Sequence, residues 1–329
     1  MAKSLVVGGS GYVGRELVRQ LAARGDEVYV FGRSDQPAKM PGVWLKGDMT
    51  EGESVRAVLY PHKFDVIYHP ASLPGDTGDP VQMVTVNVLG LTHILVYARD
   101  TGVKRFVLSS SGSAYEWYPA TKFNPPDYMP VDEEHPTRPR DMYSSTKRMQ
   151  EILGLTFYHQ YGLRVTVLRL TAVVGPEGRG GGRGYRAFAE MLKEGKRVQI
   201  PHFTMDELCH YVDLRDVARM HIVAGEHPNA VGEIFNCCGP DPVRGYEFAA
   251  IVQRLVPGIG VEVGFPWSMA QGGALCFDMS KAKRLLGFEP QYTLEDSVRS
   301  IKEWVDAGGL EEKEIQEADR AFGAGVKTE

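Results

Sequence analysis

Tyr143-Ser144-Ser145-Thr146-Lys147 sets a phenol and an ammonium four residues apart. On a helix, residues i and i+4 share a face, so the two groups point the same way. A free tyrosine titrates near about 10, too high for a good base at neutral pH. A neighbouring cation lowers that value, and so does the positive ring of an oxidised nicotinamide. Such a phenol exchanges a proton with a secondary alcohol while hydride moves to or from the nicotinamide. The Tyr-x-x-x-Lys pattern alone is usually a surface helix pair. Its position, between the fifth and sixth strands of an alternating strand–helix chain, gives it weight.

Upstream, Ser109-Ser110-Ser111-Gly112-Ser113-Ala114-Tyr115 closes the fifth strand. Open α/β sheets carry their active sites at the C-terminal ends of strands. A hydroxyl there bonds the substrate oxygen and aligns it with Tyr143. The plainer use of such serines is to satisfy turn backbone.

Gly8-Gly9-Ser10-Gly11-Tyr12-Val13-Gly14 spaces Gly8, Gly11 and Gly14 as G-x-x-G-x-x-G, directly after a strand and opening a helix. The glycines serve a tight turn, close backbone approach to a pyrophosphate and close helix-to-strand packing. The diphosphate then rests on free N–H groups at the positive end of the helix. A lone motif is weak evidence, but the strand–turn–helix setting favours nucleotide binding over a merely structural turn.

The second strand ends in Gly32-Arg33-Ser34, without the carboxylate that bonds the ribose 2′-hydroxyl in NAD proteins. Arg33 and Ser34 suit a 2′-phosphate, so NADP is favoured over NAD. The alternative is a simple turn, with Asp35 serving the ribose. Asp48, just past the third strand, is placed either to accept from the adenine amino group or to cap its own turn. Asn87 lies inside an otherwise apolar helix, where its propensity is poor. It is expected to bond a loop beside the active site; a packing quirk is the alternative.

The elements that position these residues read clearly in the first half. Candidate strands are Ser4–Val7, Glu27–Phe31, Val43–Lys46, Asp65–His69, Arg105–Ser109 and Arg164–Leu170, nearly continuous in apolar character. Helical stretches such as Val13–Arg24, Met83–Thr101 and Tyr143–Tyr161 alternate with them. This alternation predicts an α/β fold with a doubly wound parallel (Rossmann) sheet. After Gly175-Pro176 the pattern changes. Residues 178–184 read GRGGGRG, a loop before the helix Tyr185–Glu194. Tyr211–Ala224 reads as strand, turn and helix, and Ile234–Asn236 as one more strand of the main sheet. Asp278–Leu286 and Leu294–Trp304 read as helices, and the charge-rich tail from Glu311 as frayed. The expected division is a nucleotide-binding domain at 1–175 with a returning segment at about 208–238. Residues 176–207 and 239–329 form a smaller, discontinuous C-terminal substrate lobe.

With 329 residues, 43% hydrophobic and 24% charged, the chain is ordinary for a globular protein of one large domain or two lobes. A net charge of −5 and scattered Lys/Arg give no reason to expect nucleic acid. Glycines interrupt the apolar run of MAKSLVVGGSGYVG, and no stretch reads as long enough to span a bilayer. No membrane partner is expected, and cytoplasmic placement follows as the default. Cys209, Cys237, Cys238 and Cys276 form no C-x-x-C pair and read as buried free thiols. Nine histidines include no H-x-H or H-E-x-x-H spacing, so no metal site is expected.

With these residues in hand, the chain resembles the extended short-chain dehydrogenase/reductases, specifically the NAD-dependent epimerase/dehydratase family, over roughly residues 4 to 305. The resemblance rests on GGSGYVG, KGDMT, DVIYHPAS, NVLG, RFVLSSSGSAY, YSSTK, LRLTAVVGP, YVDLRDVA and FDMSKAKRLLGFEP, in that order. It implies a catalytic group of Ser111, Tyr143 and Lys147, with Lys147 also bonding the nicotinamide ribose. It further implies cofactor contacts from Tyr12, Val13, Met49, Ala71, Ser109 and Val173, and a homodimer formed through helices matching Met83–Arg99 and Tyr143–Tyr161. Gly112 and Ser113 stand where the dehydratases carry an Asp-Glu pair, which speaks against a dehydratase. Ala172 stands where sugar-nucleotide epimerases usually have Asn, and Cys209 near where they commonly have Arg. Both missing groups would contact a substrate diphosphate. Ser113, Arg179, Arg183 and Arg186 are the candidate substrate contacts; the three arginines equally suit a merely soluble loop. The expected activity is oxidation or reduction of a secondary carbinol on a sugar or sugar nucleotide, most simply as a 4-epimerase. The alternatives are a net reductase of a smaller ketone, which YVDLRDVA also resembles, and a non-catalytic nucleotide sensor or scaffold.

Overall fold

In a computed structural model the chain is described over residues 2–37, 39–75, 79–115, 126–178, 183–202, 204–264 and 275–311. The predicted tail beyond Glu311 lies outside these residues. Six strands follow the apolar runs: β1 (Lys3–Val7), β2 (Glu27–Gly32), β3 (Val43–Lys46), β4 (Val66–His69), β5 (Arg105–Ser111) and β6 (Val165–Leu170). With Ile234–Cys237 they form one seven-stranded sheet in the order Ile234–Cys237, β6, β5, β4, β1, β2, β3. Every pairing in it is parallel.

The pleat sends alternate residues to opposite faces, and both faces are covered. On one face Val6, Val30 and Val107 pack with Leu17, Val18 and Leu21 of α1 (Tyr12–Ala23) and with Val217 and Met220 of the Leu214–Glu226 helix. On the other, Leu5, Val7, Ile67 and Leu108 meet Leu91, Ile94 and Leu95 of the Leu91–Thr101 helix and Phe157 of the Met142–Tyr161 helix. Each such side chain contributes about 1.5–3 kcal/mol of burial. The strand order reverses between β1 and β4, which opens a crevice at their C-terminal ends.

Chain order continues with α2 (Gly52–Leu59) and α3 (Pro80–Val84), then a π turn (Thr85–Gly90) that runs on into α4 (Leu91–Thr101). Asp79 caps this long segment by accepting from Val81 N and Gln82 N, with Pro80 at the first helical position. Gly102 and Gly162 close α4 and α5 (Met142–Tyr161) with φ of 70° and 72°. Contrary to the sequence reading, Pro80–Thr101 is long and apolar enough to cross a membrane by composition, with mean hydropathy 1.5. Here 44% of that stretch is buried inside the molecule, against β4, β5 and α5.

A third cluster gathers mostly elements from the chain beyond Gly175, with Tyr115, Val131, Ala172 and Val174 from before it. Phe188 and Leu192 of α6 (Arg183–Glu194) pack with Tyr211, Phe248, Val252 and Ile301. Gly245–Leu255 is a helix the sequence reading does not contain, and Arg197–Ile200 pairs in parallel with Gly260–Val263. The expected strand at Tyr211 is present as Tyr211–Asp213 and pairs with Ala172–Val174, and the pair of Leu208–Cys209 with Val243–Arg244 is a further addition.

Candidate active site

The glycine turn sits at the mouth of β1. Gly8 takes φ +84°, and its N–H donates to Phe31 O at 2.9 Å, tying the turn to β2. A Cβ on Gly8 would lie 2.8 Å from Ala71 Cβ, so the loop after β4 closes on the turn. A Cβ on Gly14 would lie 2.2 Å from Gly8 O and 2.7 Å from Gly9 Cα. Only glycine lets α1 start this close to β1, leaving its first N–H groups facing outward. The residues present therefore fit the diphosphate of a dinucleotide. Tyr12 donates from its hydroxyl to Gly175 O at 2.8 Å, and Val13 and Val173 are half-buried.

β5 runs two residues beyond the predicted end, to Ser111, because Ser110 and Ser111 pair with Arg169 and Leu170 of β6. The extension carries Ser111 to the sheet edge, where a tight turn, Gly112–Tyr115, begins. Opposite it, α5 is started by Asp141, which accepts from Ser144 N at 2.7 Å. Tyr143 and Lys147 occupy successive turns of that helix. The Lys147 ammonium lies 5.8 Å from the Tyr143 ring centroid and donates to Ser109 O at 3.0 Å. Ser111, whose Oγ accepts from Ser113 Oγ at 3.0 Å, is the hydroxyl that counters the effect of burial on the Tyr143 phenol. The phenol, the ammonium and two hydroxyls thus converge.

Burial pushes the Tyr143 phenol up to about 12; the Ser111 hydrogen bond opposes the shift and Asp141 adds to it. Burial pushes the Lys147 ammonium down to about 7, with the Glu151 charge opposing. Both shifts arise because a lone charge is costly where water is excluded. Contrary to the expected acidic phenol, the Tyr143 shift runs upward, and its causes are burial, Ser111 and Asp141 rather than the Lys147 ammonium.

Behind this pair lies a buried ion pair that the sequence reading missed. Glu151 Oε1 accepts from Ser110 Oγ at 2.7 Å and Arg169 Nε at 2.8 Å. Its Oε2 accepts from Arg169 Nη2 at 2.9 Å and Arg148 Nη1 at 2.8 Å. Burial alone would raise this carboxyl, but Arg169, Ser110 and Arg148 hold it below the usual range. The Arg169 guanidinium lies 4.3 Å from the Tyr115 ring centroid, and Tyr115 donates to Asn236 Oδ1 at 2.7 Å. The available signal was an arginine in the middle of an otherwise apolar strand, with a glutamate one helical turn past Lys147.

Asn87, in the π turn, joins three elements. Its Oδ1 accepts from Leu73 N at 2.7 Å, and its Nδ2 donates to Leu73 O at 3.2 Å and Thr146 Oγ1 at 3.0 Å. It bridges the loop after β4 to α5, beside Lys147. Asp48 Oδ1 accepts from Thr50 N at 2.9 Å and Thr50 Oγ1 at 2.8 Å, the turn-capping arrangement. Met49 is half-buried, and its carbonyl lies 2.8 Å from His93 Nδ1. Ser109 is buried, its hydroxyl 2.6 Å from His221 Nε2, so its carbonyl is the part that serves Lys147. Arg33 and Ser34 are exposed at the end of β2. Arg179 lies outside the described residues, and Arg183 is placed only as the first residue of α6. Arg186 pairs with Glu190 at 3.2 Å. Ala172 and Cys209 are both packed into the third cluster.

The sequence model of the NAD dependent epimerase/dehydratase family matches residues 4–238. A UDP-glucose 4-epimerase from Lactobacillus helveticus is 25% identical, over 92% of this chain and 96% of its own. A 3-beta-hydroxysteroid dehydrogenase from Mycolicibacterium neoaurum is 27% identical, over 91% and 90%. Among solved structures, Epimerase Mth375 from Methanothermobacter thermautotrophicus shares the fold with a TM-score of 0.81 at 24% identity, over 95% and 94% of the two chains. RMD from Pseudomonas aeruginosa, complexed with NADPH, does so at 0.74 and 22% identity, over 93% and 99%.

Proposed function

The chain belongs to the NAD-dependent epimerase/dehydratase family, and on that premise we propose that it oxidises and re-reduces a secondary carbinol on a sugar or sugar nucleotide. The observation that carries this reading is the Lys147 ammonium 5.8 Å from the Tyr143 ring centroid, with Ser111 acting on the same phenol, at the strand ends next to the glycine turn. Gly8, Gly11 and Gly14 hold the cofactor diphosphate and Arg33 and Ser34 its adenosine end, which favours NADP over NAD. When bound, the nicotinamide supplies the hydride acceptor and donor. Ser111 donates a hydrogen bond to the substrate oxygen and fixes it against Tyr143 Oη. Tyr143 takes the hydroxyl proton as the carbinol becomes a ketone and returns it on reduction. Lys147 stabilises the transient phenolate from one helical turn away. Residues 1–175 and about 208–238 carry the cofactor, and the third cluster around α6 carries the substrate.

A second reading is a net NADPH-dependent reductase of a smaller ketone. The burial of Ala172 and Cys209 favours it, since neither position offers a polar group to a diphosphate. Mass spectrometry of small molecules released from the purified protein separates the two. Retained cofactor, with interconversion of UDP-hexoses and no net redox change, is the expected result. Empty protein that consumes NADPH stoichiometrically with a ketone panel would replace the first reading by the second. We further propose that the molecule works in the cytoplasm as a homodimer joined through the α3–α4 and α5 faces.

A further inference from the structure

We propose that His221 positions Lys147 from the opposite face of the sheet, by holding Ser109, whose carbonyl receives the ammonium. The inference rests on the reading that Lys147 bonds the nicotinamide ribose, and it adds a residue that touches neither cofactor nor substrate. Lys147 is buried on α5, and its Nζ donates to Ser109 O at 3.0 Å. Ser109 stands two residues past Val107 on β5, so its side chain leaves the sheet on the other face, towards α7 (Leu214–Glu226). There its hydroxyl lies 2.6 Å from His221 Nε2, while His221 Nδ1 lies 2.7 Å from Val217 O, one turn back along α7. A carbonyl only accepts, so Nδ1 carries the ring proton. Burial pushes this imidazole down to about 4 and keeps it neutral, so Nε2 is bare and Ser109 Oγ donates to it. A connected run from Lys147 through Ser109 and His221 to Val217 O thus crosses the sheet.

The fastening acts where β5 needs it. β4 stops at His69, opposite Leu108, so from Ser109 onward β5 has a strand neighbour on one side only, β6. A strand end paired on one edge is among the first parts of a sheet to open. The bond to His221 ties that end to α7, which is itself packed through Val217 and Met220. The Ser109 carbonyl is then held still for the ammonium that arrives from α5. A histidine kept only for packing would have no energetic link to Lys147; a positioning residue has one.

The test is a double-mutant cycle on cofactor affinity. It is read by fluorescence titration of cofactor-stripped protein with whichever of NADPH and NADH the wild type binds more tightly. His221→Phe keeps a ring and removes the acceptor, and Ser109→Ala removes the donor. Each should weaken binding about ten-fold, the worth of one charge-assisted contact. Each should do so only while Lys147 is present: in a Lys147→Met background, itself weakened, neither should cost anything further. His221→Gln, whose amide oxygen can take the place of Nε2, should bind near wild type. Ser109→Ala with His221→Phe leaves no buried hydroxyl unpaired, so it should melt above His221→Phe alone yet bind cofactor no more tightly. Wild-type affinity in both single variants, or the same loss with and without Lys147, would overturn the positioning role. So would a double variant that regains affinity along with stability. Unchanged affinity in Lys147→Met would instead overturn the bond of Lys147 to the ribose, on which the inference rests.

Discussion

At the scale of single residues, Tyr143 and Lys147 have opposite relations to stability and activity. Tyr143→Phe keeps the ring and its packing and removes only the oxygen that carries the proton. Turnover should fall by about 10²–10⁴-fold, the usual worth of a positioned acid–base group, while cofactor binding stays near wild type. Full activity in that variant would remove the mechanism. Lys147 pays for its position: burial pushes its ammonium down to about 7. In the unfolded chain a lysine titrates near about 10.4. Between those values the unfolded state binds more protons, so stability rises with pH there; below about 7 the penalty is fully present. Lys147→Met should therefore abolish turnover yet raise the melting temperature of the cofactor-free protein. The gain should be largest near about pH 6 and fade towards about pH 10. Thermal melts across that range decide it, and a gain that grows with pH would contradict the sign.

At the scale of elements, catalytic geometry depends on how α5 is fastened to β5 and β6. Glu151 lies on the face of α5 that carries Lys147, and its carboxylate binds β5 through Ser110 and β6 through Arg169. Glu151→Gln leaves a buried guanidinium without its counter-charge and should cost about 3–5 kcal/mol. Glu151→Gln with Arg169→Met removes both charges and should recover most of that loss. Denaturant melts of the two variants test this; a double variant as unstable as the single one would mean that the pair acts by shape alone. The strands that form this frame were legible because burial on both faces makes them continuously apolar. The glycine turn and the Tyr143–Lys147 spacing were legible because their geometry is local, whereas Ser111 was singled out only by the family resemblance, the strand that carries it running two residues beyond its expected end. Glu151 and Arg169 were not: they are 18 residues apart on different elements, and only tertiary pairing makes an arginine tolerable in the all-buried β6. The two-residue pair of Leu208–Cys209 with Val243–Arg244 is too short to show any period. The π turn at Asn87 has no compositional mark, although the cost of an asparagine in an apolar helix marked that residue as one needing partners.

At the scale of the whole molecule, one surface stands apart from the charged exterior. Val81 is 76% exposed, Leu89 44%, Met149 43% and Ile152 51%, all on the α3–α4 segment or on α5, which pack side by side. The opposite faces of the same helices are buried against the sheet, so these residues are not needed for the core. A two-fold pairing would place each helix pair against its copy, making one patch serve both partners. It would also remove from water the same apolar stretch that gives Pro80–Thr101 its membrane-like composition. Light scattering of wild type should give about twice the 36.4 kDa chain mass. Val81→Glu with Ile152→Glu puts a charge on each helix of the patch, and a buried unpaired charge costs several kcal/mol, enough to leave monomers. Neither substitution touches the glycine turn or the Tyr143–Lys147 pair, so the monomer should still bind the nicotinamide cofactor. A wild type that scatters as a monomer would remove the pairing, and a charged variant that stays dimeric would move the interface to another face.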